Sequence, residues 1–271
     1  MRCAAPLASA SHLCYNNAMI NTNRPSWASR LGRDRVFWIV IGVVVLAYLV
    51  SSLQLGWGIL ASLAGLLLAI TVHECAHAWA ADRLGDPTAR LAGRVSLNPL
   101  RHLDPLGTVM MVMTVLTGFG IGWGKPVPIT PYRLRYGTRL GSGLVALAGP
   151  ASNLLLATIL GLALRLVAVY LPDWLCVFWY LAVFINVLIA FFNLLPIPPL
   201  DGYSVLLGLL SLVHSRWAWE VSQFLARLAS QGTLIIIGLL IVAQLFGLNL
   251  FSAVISPPTE WVARLILGPL Y

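Results

Sequence analysis

The sequence predicts an all-α polytopic membrane protein, with about five or six transmembrane helices and a re-entrant hairpin or short extended segment beside its polar centre. Three observations predict it. Hydrophobic residues make up 59% of the 271-residue chain and charged residues only 10%, with a mean hydropathy of +0.86, a composition foreign to soluble domains. Several apolar runs reach the ~20 residues that one helical crossing needs. The basic residues, 17 against 9 acidic ones with Lys125 the single lysine, are strung between those runs. They read as loop charges that set orientation and contact lipid headgroups, which argues against nucleic acid as a partner.

Residues 1–35 are polar, carry Arg2, Arg24, Arg30, Arg33 and Arg35, and lack the apolar core of a signal peptide. They read as a disordered cytoplasmic tail, with Met19 as a second candidate start, ahead of a membrane-embedded domain at 36–271. Val36 to Val72 holds no charged residue or histidine and is too long for one crossing. Ser51, Ser52, Gln54, Gly56 and Gly58 break it into spans near 36–53 and 57–81. The tail arginines place the amino terminus inside, so the second span returns to the cytoplasmic side.

The loop at 82–106 carries Arg83, Arg90, Arg94 and Arg101, and the segment 122–139 carries Lys125, Arg133, Arg135 and Arg139. Two basic flanks on one side make the apolar stretch 106–121, with Gly107, Gly118 and Gly120, a re-entrant hairpin in place of a crossing. Pro126 and Pro128 predict an extended 122–129. A long span follows at 140–171, opened by Ala148-Gly149-Pro150-Ala151-Ser152-Asn153, then another at 174–195 that leads to Asp201. Residues 203–231 read as helical and partly interfacial, 232–248 as a further span, and 251–271 as a stretch broken by Pro257 and Pro258 that is either an interfacial helix or a last crossing. No internal repeat is visible. Cys3, Cys14, Cys75 and Cys176 lack the spacing of a disulfide framework or a thiolate metal site.

The chemistry-bearing stretch is His73-Glu74-Cys75-Ala76-His77, closing an apolar run. Positions four apart share a helix face, so His73 and His77 can hold one Zn²⁺ with Glu74 beside it as a proton acceptor for water. This is the apparatus of peptide hydrolysis, at the end of a membrane helix where imidazoles and carboxylates are costly without partners. Two histidines need a third ligand. The extended His-Glu-x-x-His-x-x-Gly-x-x-His form fails, because Ala80 and Arg83 occupy its Gly and His positions. Glu220 and Glu260 lie in amphipathic stretches that suit a surface role, and His102 and Asp104 suit the capping and anchoring of a turn. Asp201 is the better candidate on topology. Were 106–121 a crossing, Asp201 would emerge ~30 Å from His73 across the hydrocarbon core; with a re-entrant segment both reach similar depth.

The His-Glu-x-x-His at 73–77, the Gly-Pro-Ala-Ser-Asn at 149–153 and the Asn-x-x-Pro-x-Pro-x-Leu-Asp-Gly at 193–202, in this order within apolar spans, resemble the site-2 protease family of intramembrane zinc metalloproteases. The resemblance covers about residues 36–205, with a catalytic core at about 57–205. Gly85-Asp86-Pro87-Thr88-Ala89, Leu97-Asn98-Pro99 and Lys125-Pro126-Val127-Pro128 look like its minimal bacterial members, and no appended regulatory domain is visible. The resemblance implies His73, His77 and Asp201 as ligands of one Zn²⁺ per chain, and Glu74 as general base. It implies Asn153 and Asn193 as amides that hydrogen-bond the substrate backbone or the oxyanion. Read from the residues alone, each amide needs a partner in its apolar segment, and helix–helix hydrogen bonding would also supply one.

The implied activity is hydrolysis of peptide bonds in or near transmembrane segments of other proteins. The implied setting is a bacterial inner membrane, with the amino terminus and zinc site toward the cytoplasm and a membrane protein or peptide as substrate. A metal-ion transporter and a non-catalytic, zinc-stabilised scaffold are the competing classes. A transporter has no need of Glu74 and commonly shows repeats. Substrate identity, regulation and subunit number are not written in the sequence.

Overall fold

The computed structural model describes residues 57–117, 122–227 and 250–268, with positions 42, 229 and 238 besides. The expectations for the tail 1–35 and for spans at 36–53 and 232–248 lie outside the described residues. The chain divides into two compact units, Met1–Gln54 and Leu55–Tyr271, and every described residue except position 42 belongs to the second. Among the described residues there is no strand, only an isolated antiparallel bridge between Leu103 and Gly124.

Seven longer helices carry the described part of the second unit: α1 (Trp57–Arg83), α2 (Pro105–Thr117), α3 (Gly137–Val167), α4 (Asp173–Asn193), α5 (Asp201–Leu210), α6 (216–227) and α7 (Leu250–Leu267). Among the described residues, three stretches are long and apolar enough to cross a membrane: Trp57–Arg83, Gly137–Tyr170 and Asp173–Asn193. In α1 the buried ridge is Ala61, Gly65, Ala69, His73 and His77, each four residues from the last. Small side chains along that ridge let neighbouring helices approach closely, the packing mode open to helices that gain nothing from hydrophobicity in lipid. Gly65 accordingly faces Ala182 and Ile185 of α4. The ridge ends in the two imidazoles, so the same face that seats the helix delivers the histidines to the interior.

Helices α3, α4 and α7 close over a core of Ala157, Leu164, Val183, Val187, Ala263 and Leu267. Short α5 runs along α3, where Gly143 and Gly208 meet backbone to backbone: a Cβ on Gly143 would stand 3.1 Å from Gly208 Cα. That contact holds the first residue of α5, Asp201, against the middle of the bundle.

Two sequence expectations are corrected. Helix α3 begins at Gly137, so Gly149-Pro150 lies well inside the span instead of opening it. Pro257 and Pro258 do not break the last stretch, since α7 runs through both. Each proline removes one intrahelical bond. The carbonyls left without donors belong to Ala253 and Val254, which are exposed, so the helix continues without burying an unpaired group.

Candidate metal centre

His73 and His77 present their rings at 90° with centroids 4.5 Å apart, and both side chains are buried. Asp201 Oδ2 lies 3.0 Å from His73 Nε2 and 3.3 Å from His77 Nε2. These residues form a group of metal-ligand type whose donor atoms all fall within 4.8 Å of one another. The aspartate arrives from 124 positions beyond the second histidine (201 − 77).

Hydrogen bonds on the far side of each ring decide what faces the aspartate. Asn153 directs its amide nitrogen at Ala69 O, 3.0 Å, and at Asn186 Oδ1, 2.8 Å. A backbone carbonyl can only accept, so the Asn153 oxygen is the atom turned to His73 Nδ1, at 2.7 Å, and His73 donates. His77 Nδ1 is 2.8 Å from Val145 O, and it also must donate. Each ring therefore carries a proton on Nδ1 and turns Nε2, the nitrogen available to a metal, toward Asp201. Asp201 Oδ2 is itself buried without a hydrogen-bond donor. With both Nε2 atoms unprotonated, three lone pairs converge here and repel one another unless a cation sits among them. Ligands ~2.0–2.1 Å from one tetrahedral ion stand ~3.3 Å apart, close to the two measured separations. The donor set fits Zn²⁺.

Glu74 follows His73 on α1, is partly buried, and lies under the extended segment that begins at residue 122. A Cβ on Gly124 would stand 3.0 Å from Glu74 Oε1. The chain that carries Gly124 runs back along α2, with Gly122 against Met111 and Trp123 against Gly107. Arg94 pins it by donating to Arg101 O, Lys125 O and Pro126 O, while Lys125 N–H donates to His102 O. At the far end, buried Asp86 accepts from Thr130 N–H and from the Thr88 hydroxyl.

Gly149 of α3 lies against both imidazoles. A Cβ there would fall 2.5 Å from His77 Cε1 and 2.7 Å from His73 Cε1, so a close approach of helix backbone to ring demands glycine. Of the other residues singled out in the sequence, Asn153 stands behind His73 as part of the centre, and the rest make other contacts. Asn153 uses both amide hydrogens within the protein, and Asn193 donates to Ile189 O of its own helix, 3.0 Å. Glu220 and Glu260 pair with Arg216 and Arg264 on exposed surface. Asp104 accepts from Gly107 N–H at the start of α2, and His102 Nε2 lies 2.6 Å from Ser96 O. Sequence reasoning missed Asn186, Val145 and Gly149 as parts of the centre. A fully buried asparagine in an apolar helix was the available signal for the first.

Apolar spans that bring a His-Glu-x-x-His helix and a distant aspartate together define a class, the helical zinc metalloproteases of membranes. Comparison with known proteins agrees. Residues 168–237 match the family described as Peptidase family M50. Bacillus subtilis "Putative zinc metalloprotease YwhC" is 40% identical over 148 residues, 52% of this chain and 65% of the relative. Rip2 of Mycolicibacterium smegmatis, named with the same description, is 34% identical over 187 residues, 68% of this chain and 67% of the relative. Rip2 of Mycobacterium tuberculosis is 36% identical over 147 residues, 53% of this chain and 55% of the relative. The chain thus spans a little over half to two thirds of the length of these relatives. No solved structure matches. The chain belongs to peptidase family M50, the site-2 protease family.

Proposed function

We propose that the chain is an intramembrane zinc endopeptidase that hydrolyses a peptide bond in or near a transmembrane segment of another membrane protein. The observation that carries this is the convergence of the His73, His77 and Asp201 lone pairs beside Glu74 at the end of an apolar span. His73, His77 and Asp201 would hold the metal. When bound, Zn²⁺ supplies a Lewis acid that polarises a peptide carbonyl and makes water more acidic. Glu74 takes a proton from the attacking water at a carboxylate oxygen and hands it to the leaving nitrogen as the C–N bond breaks. The Nδ1 protons of the two imidazoles are held by Asn153 and by the Val145 carbonyl.

A substrate helix keeps its carbonyls hydrogen-bonded internally and must unwind to present one. The extended 122–129 segment over Glu74 is read as the surface that receives the unwound strand, with Pro126 and Pro128 limiting the donors it offers. Asn193 is assigned to the substrate carbonyl, exchanging its intrahelical bond to Ile189 O for one to the substrate.

In the same reading residues 106–121 are re-entrant. Support comes from the bridge between Leu103 and Gly124 and from the return of Gly122 and Trp123 along α2. Including the spans expected at 36–53 and 232–248, the protein would cross a bacterial inner membrane about five times, with the zinc site toward the cytoplasm.

The test uses full-length protein in detergent with a membrane-spanning peptide bearing a helix-breaking residue. Glu74→Gln should abolish cleavage while zinc stays bound. Undiminished cleavage by Glu74→Gln would refute the assignment of the base, and zinc flux in proteoliposomes without cleavage would favour a transporter.

A further inference from the structure

Helix α4 contains one fully buried asparagine, Asn186, that no part of the hydrolytic reading uses. Its amide nitrogen donates to Ala182 O, 2.7 Å, one turn back on its own helix, which fixes the rotamer and the orientation of the amide. Its oxygen therefore points across the helix interface and accepts from Asn153 Nδ2, 2.8 Å. Asn153 passes the constraint on through its own oxygen to His73 Nδ1, 2.7 Å. The line Ala182 O, Asn186, Asn153, His73 crosses three helices, and both asparagines are 0% exposed. Each link has one permitted direction, because the line starts at a carbonyl that can only accept.

We propose that Asn186 is a positioning residue for the metal centre, setting the tautomer of His73 through Asn153. The proposal rests on the reading of His73 as a zinc ligand. Without the Asn186 oxygen, one Asn153 hydrogen is left without an acceptor in a dry site, and only Ala69 O still opposes rotation of that amide. A rotated Asn153 would present N–H to His73 Nδ1, moving the ring proton to Nε2, where it would point at Asp201 and remove a lone pair from the metal. Partners behind a metal-bound histidine typically contribute ~10–100-fold in affinity. Asn186 acts one link further out, so its loss should fall at the lower end.

The experiment measures zinc affinity of the full chain in detergent by competition with a chromophoric chelator, with Co²⁺ absorption as a second readout. Asn186→Ser keeps a hydroxyl able to bond Ala182 O, as Ser222 bonds Ala218 O, but is too short to reach Asn153. It should bind zinc ~10-fold more weakly and shift the Co²⁺ spectrum. Asn186→Asp retains the reach and an acceptor and, protonated in its fully buried position, still donates to Ala182 O, so it should stay within ~3-fold of wild type. Asn153→Leu should be weaker than either, and adding Asn186→Ser to it should change nothing further. Wild-type affinity in Asn186→Ser, or losses that multiply in the double variant, would overturn the proposal. Wild-type zinc affinity in His73→Ala would instead overturn the ligand reading on which it rests.

Discussion

Val145 has no polar side chain, yet its carbonyl decides which nitrogen of His77 faces Asp201. At the scale of single residues the centre is built in two layers, and the layers differ in how readable they are. Ligands announce themselves through residue type and spacing: His73, Glu74 and His77 by their helical register, Asp201 by the topology that brings it to the same depth. The outer layer does not, because a backbone acceptor can belong to any residue and a buried asparagine looks like any other polar position until its neighbours are known. Gly149 is the sharpest case, a residue legible only as part of a motif, whose role is to leave room for two imidazoles. Gly149→Ala should displace both rings and weaken zinc binding by at least ~10-fold with helix content unchanged. A zinc titration beside far-UV circular dichroism checks this, and wild-type affinity would mean that the helix backbone can yield at that point.

At the scale of elements, apolar run length located α1, α3 and α4, and 122–129, where prolines led the sequence reading to an extended segment, is free of helix. What run length could not convey was that α3 continues through Pro150 and α7 through Pro257 and Pro258, since whether a helix accommodates a proline depends on its packed surroundings. The extended segment owes its place to Arg94 at one end and Asp86 at the other. Burial by itself pushes the Asp86 carboxyl up. Hydrogen bonds from the Thr88 hydroxyl and from the Thr130 and Thr88 N–H groups, with the charge of Arg133, outweigh it and hold the carboxyl below its ordinary value. A carboxyl lowered on folding contributes stability that is complete above the unfolded value of ~3.9 and is lost as pH falls through the folded one. Asp86→Asn should therefore be destabilised by ~1–3 kcal/mol at pH 7, with the gap to wild type closing below about pH 4. Thermal melts of both proteins in chelator, from pH 7 down to 3, measure it. A gap of constant size across that range would remove Asp86 from this role.

For the whole molecule the decisive feature is that the chain returns at Gly124 to where it left at Leu103. Basic flanks led the sequence reading to a re-entrant hairpin at 106–121, and the Leu103–Gly124 pairing and the packing along α2 are compatible with it. The prediction concerns sides of the membrane. In a background lacking the native cysteines, Leu97→Cys and Tyr132→Cys, both at exposed positions, should react with an impermeant thiol reagent from the same face, and Tyr170→Cys from the opposite one. Labelling of Leu97→Cys and Tyr132→Cys from opposite faces would make 106–121 a crossing.

Zinc content of the purified full chain, with affinity measured for the wild type and for Glu74→Gln, His73→Ala, His77→Ala and Asp201→Ala, tests the centre most directly. Wild type and Glu74→Gln should each bind one zinc per chain, and loss of either histidine or of Asp201 should weaken binding by more than the ~100-fold that supporting residues can account for. Zinc held by Asp201→Ala as tightly as by wild type would contradict a His73–His77–Asp201 site.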